Sequence, residues 1–450
     1  MQTAGLSWIG ILRLGLVQTA LGAIVVLTTS TLNRVMVVEL ALPAMLPGAL
    51  VALHYAVQIS RPRWGYGSDV GGRRTPWIIG GMLVLALGGT TAAAATALLA
   101  YDTALGTALS VLGSLLIGVG VGASGTSLLV LLAQAVDQER RAPAATIVWL
   151  MMIAGMIVTA TVAGGFLDPF SMTRLIAVTA TVSGAAVLLT VLAVWGIERR
   201  ARPAQAAPAG DHTPFREAMR QVWAEPKARR FAIFVFVSML AYSAQDLILE
   251  PFAGAVFGMT PGESTKLSGV QHGGLFSGMI LVAIAGGAFG RRRLGGFRLG
   301  SLRGWAIGGC LASGVALFAI ALGGFAAPAF PLKEAVFALG VANGAFAVAA
   351  IGSMMGLVSA GRASREGTRM GLWGAAQAVA FGLGGFAGTA AIDATRALFA
   401  DPALAYAAVF SLEATLFLVS AYLAAHVTRP AVTTAAPDLA ASDAKGWAEA

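Results

Sequence analysis

Long apolar stretches recur along the whole chain, and each is about as long as a helix that crosses a lipid bilayer. Such a helix needs about 20 mostly apolar residues. Because the stretches are long and do not alternate between apolar and polar residues, they predict spanning helices and exclude a membrane β-barrel. The twelve stretches lie at about residues 9–32, 40–59, 76–99, 106–133, 145–167, 174–196, 231–251, 267–289, 304–327, 333–358, 370–392 and 404–427.

The overall composition agrees with a membrane protein. Apolar residues make up 57% of the chain and charged residues only 11%, with a mean hydropathy of +0.78. A soluble domain carries about 25% charged residues, so both a water-soluble enzyme and a disordered chain are excluded. The net charge of +9 does not indicate nucleic-acid binding, because the basic residues form short clusters between apolar runs. A single cysteine, Cys310, excludes an intramolecular disulfide and a cysteine-based metal site.

The basic residues also predict an orientation in the membrane. Loops on the cytoplasmic side of a membrane protein carry an excess of Lys and Arg. The even-numbered connections and the chain ends hold most of the 30 basic residues, so both termini are expected to face the cytoplasm. The odd-numbered connections carry only isolated bases, namely Arg34, Arg174, Lys266, Lys333 and Arg396.

The longest internal connection divides the twelve predicted helices into two sets of six. It begins with the Pro- and Ala-rich segment RRARPAQAAPAG. We therefore predict an N-terminal six-helix bundle over residues 1–196 and a cytoplasmic linker over 197–230 that contains a short amphipathic helix. A C-terminal six-helix bundle follows over 231–428, and a disordered tail over 429–450.

The connection between the second and third runs carries the sharpest local motif, GYGSDVGGRRT. It is similar to the cytoplasmic loop signature of the major facilitator superfamily, in which this loop latches two six-helix halves. Val70 stands where that signature usually has Arg, and an ordinary positive-inside loop remains the alternative. The residues that match the signature are Gly65, Asp69, Gly72, Arg73 and Arg74.

Three carboxylates fall inside apolar runs, where a charge is costly and usually marks function. Asp246 and Glu250 are four residues apart in the seventh run, so they share one helix face, with Gln245 beside them. Pro251 is expected to end that helix, which would place both carboxylates near the periplasmic end. They are then either functional or simply the polar end of the helix. Glu413 lies near the middle of the twelfth run without an evident partner, and its role stays open.

Two histidines are candidates for ligating the magnesium of a chlorophyll-type ring, for which imidazole is a usual axial ligand. His54 lies near the cytoplasmic end of the second run, and His272 near the periplasmic end of the eighth. At these depths they cannot bind one small metal together. His272 is favoured because Gly273 and Gly274 leave room for a flat macrocycle. For both, the alternative is a packed or hydrogen-bonded histidine.

Known catalytic motifs are missing from the sequence. It contains no phosphate-binding loop, no Ser-His-Asp set and no H-E-x-x-H segment, so we predict no enzyme and no protein-bound metal. The first six runs also hold no titratable relay of the kind that a proton-driven exporter needs.

The segments RPRWGYGSDVGGRRTPWI, QDLILEPFAG and SGVQHGG resemble the PucC/LhaA family, the bacteriochlorophyll-delivery branch of the major facilitator superfamily. The resemblance covers most of residues 8–430. It implies an all-α membrane protein with twelve transmembrane helices in the major facilitator fold, located in the bacterial intracytoplasmic photosynthetic membrane. Some relatives are described as a chain of bacteriochlorophyll synthase, but this sequence has no Asp-rich diphosphate-binding motif of a prenyltransferase.

The resemblance further implies a factor for light-harvesting complex assembly that binds bacteriochlorophyll as cargo and delivers it to antenna apoproteins. Its expected partners are membrane lipid and those apoproteins, with bacteriochlorophyll synthase as a further candidate and no nucleic acid. Gly- and Ala-rich faces such as AIAGGAFG and GLGGFAG offer room for a pigment but equally suit helix packing. The alternative function is a conventional secondary transporter for a solute or drug, and a pigment-free scaffold is a third.

Overall fold

The part of the chain that the computed structural model describes consists almost entirely of twelve helices. The described residues are 6–60, 73–137, 140–200, 220–221, 223–287, 293–294, 297–298, 301–359 and 366–427. The N-half comprises α1 Trp8–Glu39, α2 Met45–Val57, α3 Thr75–Leu98, α4 Thr103–Ala135, α5 Arg141–Leu167 and α6 Met172–Val194. The C-half comprises α7 Pro226–Phe257, α8 Pro261–Gly287, α9 Leu302–Gly323, α10 Leu332–Ser359, α11 Glu366–Leu398 and α12 Pro402–Val427.

Eleven of these helices are long and apolar enough to cross a membrane, which confirms the predicted fold class. The exception is α2, which has 13 residues and a length of about 20 Å. The predicted second run began at residue 40, but residues 40–44 form the turn after α1, with Ala41 at a φ of 50° and Pro43 behind it. A three-residue 3-10 turn, Gln58–Ser60, extends α2 at its other end.

The first helix is longer than its apolar run predicted. It continues through two π-helical segments, Leu27–Thr31 and Val35–Glu39. The assignment of Arg34 to the connection after the first run was therefore wrong. Arg34 lies inside α1 and is only 2% exposed, and its guanidinium donates to Glu39 and, over 2.6 Å, to the carbonyl of Met259. These acceptors offset the free-energy cost of burying the guanidinium, since a buried cation must be paired.

The seventh helix continues through Pro251, where the sequence predicted its end. It starts at Pro226, five residues before the predicted boundary, and stops at Gly258, whose φ of 67° gives a left-handed helix cap. The two carboxylates therefore lie within α7, in the half that ends at Gly258, and not at its terminus. Glu250 lies seven residues before the last helical residue.

Close packing of small residues holds neighbouring helices together. Gly274 of α8 faces the backbone of α10, and a Cβ at this position would come within 2.3 Å of the Phe337 carbonyl oxygen. Gly384 and Gly388 in the GLGGFAG segment of α11 face the α7 backbone in the same way. That glycine face serves helix packing, the second of the two uses that its sequence allowed.

The two halves meet along α2 against α11 and along α5 against α8. At the end of the bundle where α1 stops, hydrogen bonds also cross between them. The Asp393 carboxylate of α11 accepts the backbone N–H groups of Ala44 (2.8 Å) and Met45 (2.7 Å) at the start of α2. Asp168, between α5 and α6, accepts from the Thr260 hydroxyl over 3.0 Å. The halves are thus joined at the predicted periplasmic end.

Several predicted features fall on residues that the structure does not describe. Gly65, Asp69 and Gly72 of the loop motif lie outside the described residues, as do most of the linker and the predicted tail over 429–450. Arg73 and Arg74 are described and stand at the start of α3. In the connection after α8, Arg293–Leu294 and Phe297–Arg298 pair as a two-stranded antiparallel hairpin.

The start of α3 is capped by a carboxylate from another helix turn. The N-cap residue of α3, Arg74, makes no side-chain capping hydrogen bond. Glu198, in the short helix Ile197–Arg200 after α6, accepts the backbone N–H groups of Arg74 and, over 3.0 Å, of Thr75. Burial raises the pKa of Glu198, but these hydrogen bonds and the nearby charge of Arg73 outweigh it, so its pKa lies below the ordinary value of 4.5.

We expect Glu198→Gln to lower the free energy of unfolding at neutral pH by about 1 kcal/mol, as loss of a capping group does. Because the pKa of Glu198 is lower in the folded chain, the carboxylate stabilises the fold above its unfolded pKa, and this contribution disappears as the pH falls through the lowered value. Thermal unfolding of the solubilised chain at pH 7 and in acid measures both effects. Glu334→Gln, at an exposed position in the first turn of α10, is the control. A Glu198→Gln effect that persists in acid would contradict this account.

Candidate functional site

Polar side chains from α1, α7 and α8 meet in the interior between the two halves. Asp246 and Glu250 point into this region from α7, and the amide of Gln271 on α8 donates to Asp246 over 3.1 Å. Glu250 is only 2% exposed. Glu250 is therefore enclosed by the surrounding helices.

A hydrogen bond between the halves explains how α7 passes through Pro251. Proline has no N–H, so the carbonyl of Leu247, four residues earlier, loses its donor within the helix. The side-chain amide of Asn33 on α1 donates to that carbonyl. In a membrane interior a carbonyl freed by proline needs such a partner. Asn33 of the N-half thereby completes the backbone of a helix in the C-half.

Arg34 lies one residue after Asn33 and connects α1 to the turn that follows α7. Its terminal nitrogens bind Glu39 and the Met259 carbonyl, while its Nε has no hydrogen-bond partner among the described residues. Gly254 on α7 makes room for the guanidinium, because a Cβ there would lie 2.8 Å from a terminal nitrogen. Sequence reasoning missed Asn33 and Arg34 as site residues. The polar stretch TTSTLNR at the end of an apolar run was the available signal.

His272 on α8 has the features of an axial ligand. Its Nδ1 lies 2.8 Å from the carbonyl oxygen of Ser268 and therefore donates to it, which leaves the lone pair on Nε2. Nε2 makes no hydrogen bond to any described residue. Gly273 borders open space, whereas Gly274 is packed against α10 and does not leave the room that the sequence predicted there.

His54 lies in α2, in a different half from His272. Its ring is buried and stacks on Tyr55 with 4.4 Å between centroids. It lines a cavity of about 30 Å³ together with Asn33 and Ser110. This volume suits a water molecule and is far too small for a macrocycle. His272 is therefore the better candidate of the two.

Glu413 lies in the core of the C-half. Both of its carboxylate oxygens are buried, and neither has a hydrogen-bond partner in the described part of the chain. It interacts electrostatically with Asp246 on α7. Gln245, next to Asp246, is fully buried, and neither its amide oxygen nor its amide nitrogen has a hydrogen-bond partner among the described residues. The structure thus brings Glu413 to the α7 carboxylates, a proximity that the sequence did not indicate.

The polar groups of this region are few and lie within an apolar bundle. Among the described residues no group of three His, Cys, Asp or Glu side chains could hold a metal ion. The site offers one uncommitted imidazole nitrogen, buried carboxyl groups and serine hydroxyls within an apolar bundle. Together, the fold and this site define a multi-pass membrane protein with a polar interior between two helical halves.

Comparison with known proteins assigns the family. The model of the family described as "PUCC protein" matches residues 31–432, which is most of the chain. The chain belongs to the PucC family.

Two curated relatives illustrate its place there. It is 58% identical over 427 residues to the "Bacteriochlorophyll synthase 44.5 kDa chain" of Rhodobacter capsulatus, with 94% of this chain and 96% of that protein covered. It is 30% identical over 409 residues to "Protein PucC" of Rhodovulum sulfidophilum, with 86% and 85% covered.

Solved structures share the fold. The nucleoside transporter NupG superposes with a TM-score of 0.67 at 13% identity, covering 94% of this chain and 99% of that one. The peptide transporter POT in complex with sulfate gives a TM-score of 0.66 at 14% identity, covering 94% and 96%. These likenesses confirm the predicted major facilitator fold. The family and the spanning helices make the chain a multi-pass protein of the bacterial photosynthetic membrane.

We expect Asn33→Ala to destabilise the chain by about 1–3 kcal/mol, because the buried Leu247 carbonyl then has no donor. In a Pro251→Ala background the restored N–H of residue 251 can bond that carbonyl, so the same Asn33 substitution should cost about 1 kcal/mol less. Unfolding free energies of the four proteins in this cycle measure the coupling. Strictly additive effects would show that Asn33 does not compensate for Pro251.

Proposed function

We propose that this protein is an assembly factor for light-harvesting complexes, which binds bacteriochlorophyll and delivers it to antenna apoproteins in the photosynthetic membrane. The observation that carries the proposal is membership of the PucC family, together with 58% identity over nearly the full length to a relative whose name refers to bacteriochlorophyll. The proposal includes the absence of enzyme activity, in spite of the word "synthase" in that name.

The residue-level support is the state of His272. A magnesium ion in a chlorophyll-type ring takes a neutral imidazole nitrogen as its axial ligand. The hydrogen bond from Nδ1 to the Ser268 carbonyl fixes the tautomer and points the lone pair of Nε2 away from α8. Gly273, one residue further, borders open space. A hydrogen-bonded carbonyl behind the ligand also raises its basicity.

The surroundings suit an apolar cargo that arrives through the membrane. The bundle presents apolar side chains outwards, so membrane lipid is a partner along its whole circumference. Antenna apoproteins are the proposed recipients, and bacteriochlorophyll synthase is a candidate donor of the pigment. Three further residues are candidates for polar contacts to ring substituents, namely Glu413, Gln245 and Asp246. Glu413 and Gln245 have buried polar atoms without a hydrogen-bond partner among the described residues. Asp246 follows Gln245 in the chain and interacts electrostatically with Glu413.

The test is an absorption spectrum of protein purified gently from phototrophic cells. We expect the wild-type chain to retain bacteriochlorophyll, and His272→Ala to reduce retention roughly tenfold through loss of the axial ligand. His426→Ala is the matched control, because the Nδ1 of His426 lies at the same 2.8 Å from the carbonyl four residues earlier, but at an exposed position near the end of α12.

Two outcomes would count against the pigment proposal. Pigment-free protein that still binds antenna subunits would favour a scaffold. Equal retention in the His272 and His426 variants would exclude His272 as the ligand.

A conventional secondary transporter is the alternative, and two observations favour it. The fold is that of nucleoside and peptide transporters, and three carboxyl groups lie inside the helical bundle. In that case reconstituted vesicles should show gradient-driven movement of a water-soluble solute. Asp246→Asn or Glu250→Gln should then abolish the movement, whereas the assembly proposal expects no such movement in either the wild type or the variants.

A further inference from the structure

We propose that the cavity beside Asn33 and Ser110 is a binding site for one ordered water molecule, which holds the amide of Asn33 in place from the N-half. The inference does not depend on the proposed function. The cavity has a volume of about 30 Å³, and every residue that lines it belongs to α1, α2, α3 or α4. A water molecule needs about 10–15 Å³ of such space and two to four polar partners.

Two buried polar atoms on lining residues require a partner. Asn33 and Ser110 both line the cavity and are each 1% exposed. Neither Oδ1 of Asn33 nor Oγ of Ser110 makes a hydrogen bond to any described residue. Buried polar atoms are normally paired with protein groups or with ordered water. Both atoms therefore call for a small polar ligand in the space that their residues enclose.

The contact with the C-half fixes which way the Asn33 amide is turned. Its Nδ2 donates to the carbonyl of Leu247, which Pro251 leaves without a donor inside α7. The amide oxygen cannot take that place, because it only accepts hydrogen bonds. Oδ1 therefore leaves the amide carbon in a different direction from the contact with Leu247. A hydrogen-bond donor in the cavity of the N-half would complete the amide.

Other hydroxyl groups around the cavity can serve the remaining hydrogen bonds of a water molecule. Thr28 and Thr29 donate to carbonyls one turn earlier in α1, and Ser114 donates to the carbonyl of Ser110 over 2.9 Å. Each of these hydroxyl oxygens keeps lone pairs for a further donor. In the proposed site the water donates to Oδ1 of Asn33 and to one of these oxygens, and it accepts from the hydroxyl of Ser110.

The lining selects water over an ion or a larger molecule. The residues that line the cavity include no Asp, Glu, Lys or Arg. An ion in the interior needs a partner of opposite charge, whereas a water molecule needs only neutral donors and acceptors. The volume of about 30 Å³ leaves no room for an organic ligand.

The site gives the contact between the halves a support inside the N-half. Leu247 of α7 is bonded by Asn33 of α1, and the proposed water connects Asn33 to Ser110 of α4. The donor that compensates for Pro251 is then held by two further helix positions and not by its own backbone alone.

A crystal structure of the full-length chain, at a resolution that shows ordered waters, tests the site directly. We expect a density peak within hydrogen-bonding distance of both Oδ1 of Asn33 and Oγ of Ser110. An empty cavity would overturn the proposal, as would a peak that contacts only one of the two atoms.

Thermal unfolding of the solubilised chain tests the energetic role of the water. Loss of a hydroxyl that binds water should lower the midpoint, and for Ser110→Ala we expect a fall of about 2 °C. Ser127→Ala is the matched control. Ser127 lies on the same helix, is fully buried and has an Oγ without a hydrogen-bond partner among the described residues, but it does not line this cavity. Removing such a hydroxyl removes a cost of burial, so its midpoint should stay the same or rise.

The two serine variants should therefore differ in sign. A Ser110→Ala midpoint that stays the same or rises would overturn the proposal, because the hydroxyl would then have no bound water to lose. In an Asn33→Ala background the Ser110→Ala shift should shrink to less than about half, since the water has lost its acceptor there. Strictly additive shifts would contradict the proposed link. Should a variant fail to fold, the wild-type density decides.

Discussion

The contact between the two halves depends on a requirement of the backbone: inside a membrane protein every carbonyl needs a donor. Pro251 removes the donor of the Leu247 carbonyl, and Asn33 supplies one from the other half. The bond lets α7 remain helical past the proline, so that Glu250 lies in the interior between the halves. Without it, the end of α7 and the Gly258 cap would have to be placed differently. The missing N–H group of Pro251 in α7 thus accounts for one polar contact in the interior between the halves.

The charged side chains in this interior differ in how many hydrogen-bond partners they have. Arg34 has good acceptors, one of them on a π-helical segment of its own helix. Glu250 and Glu413 have none among the described residues, and Asp246 has one amide donor. Buried groups without partners reduce stability, so the presence of Glu250 on α7 and Glu413 on α12 is unexpected for a site with a purely structural role. The proposed function assigns a pigment to His272 and leaves Glu250 without a ligand.

Much of the fold could be predicted from the sequence because the bilayer imposes a simple rule. Apolar runs of sufficient length must become helices, and eleven of the twelve runs contain one long enough to span. The predicted helix ends were wrong where a charged residue or a proline was taken to mark the end of a helix. Arg34 looked like a loop residue and Pro251 like a terminator, but partners from distant parts of the chain allowed both to remain in helices. A linear sequence shows no such partners. The candidate residues His272 and Glu250 could be named from their residue type and depth, whereas the cavity beside Asn33 and the proximity of Glu413 to Asp246 depend on the three-dimensional packing.

The carboxylate of Asp393 has a consequence for sequence variation. It bonds to main-chain N–H groups at the start of α2, not to side chains. Any amino acid except proline at Ala44 or Met45 offers the same two donors. The two hydrogen bonds therefore allow changes at Met45, which is exposed, whereas Ala44 is also restricted by its burial in the core, and the α11 side depends on its one acidic residue. The hydrogen bonds between α2 and α11 are therefore kept when residues on the α2 side change, because Asp393 supplies the only side chain that these bonds require.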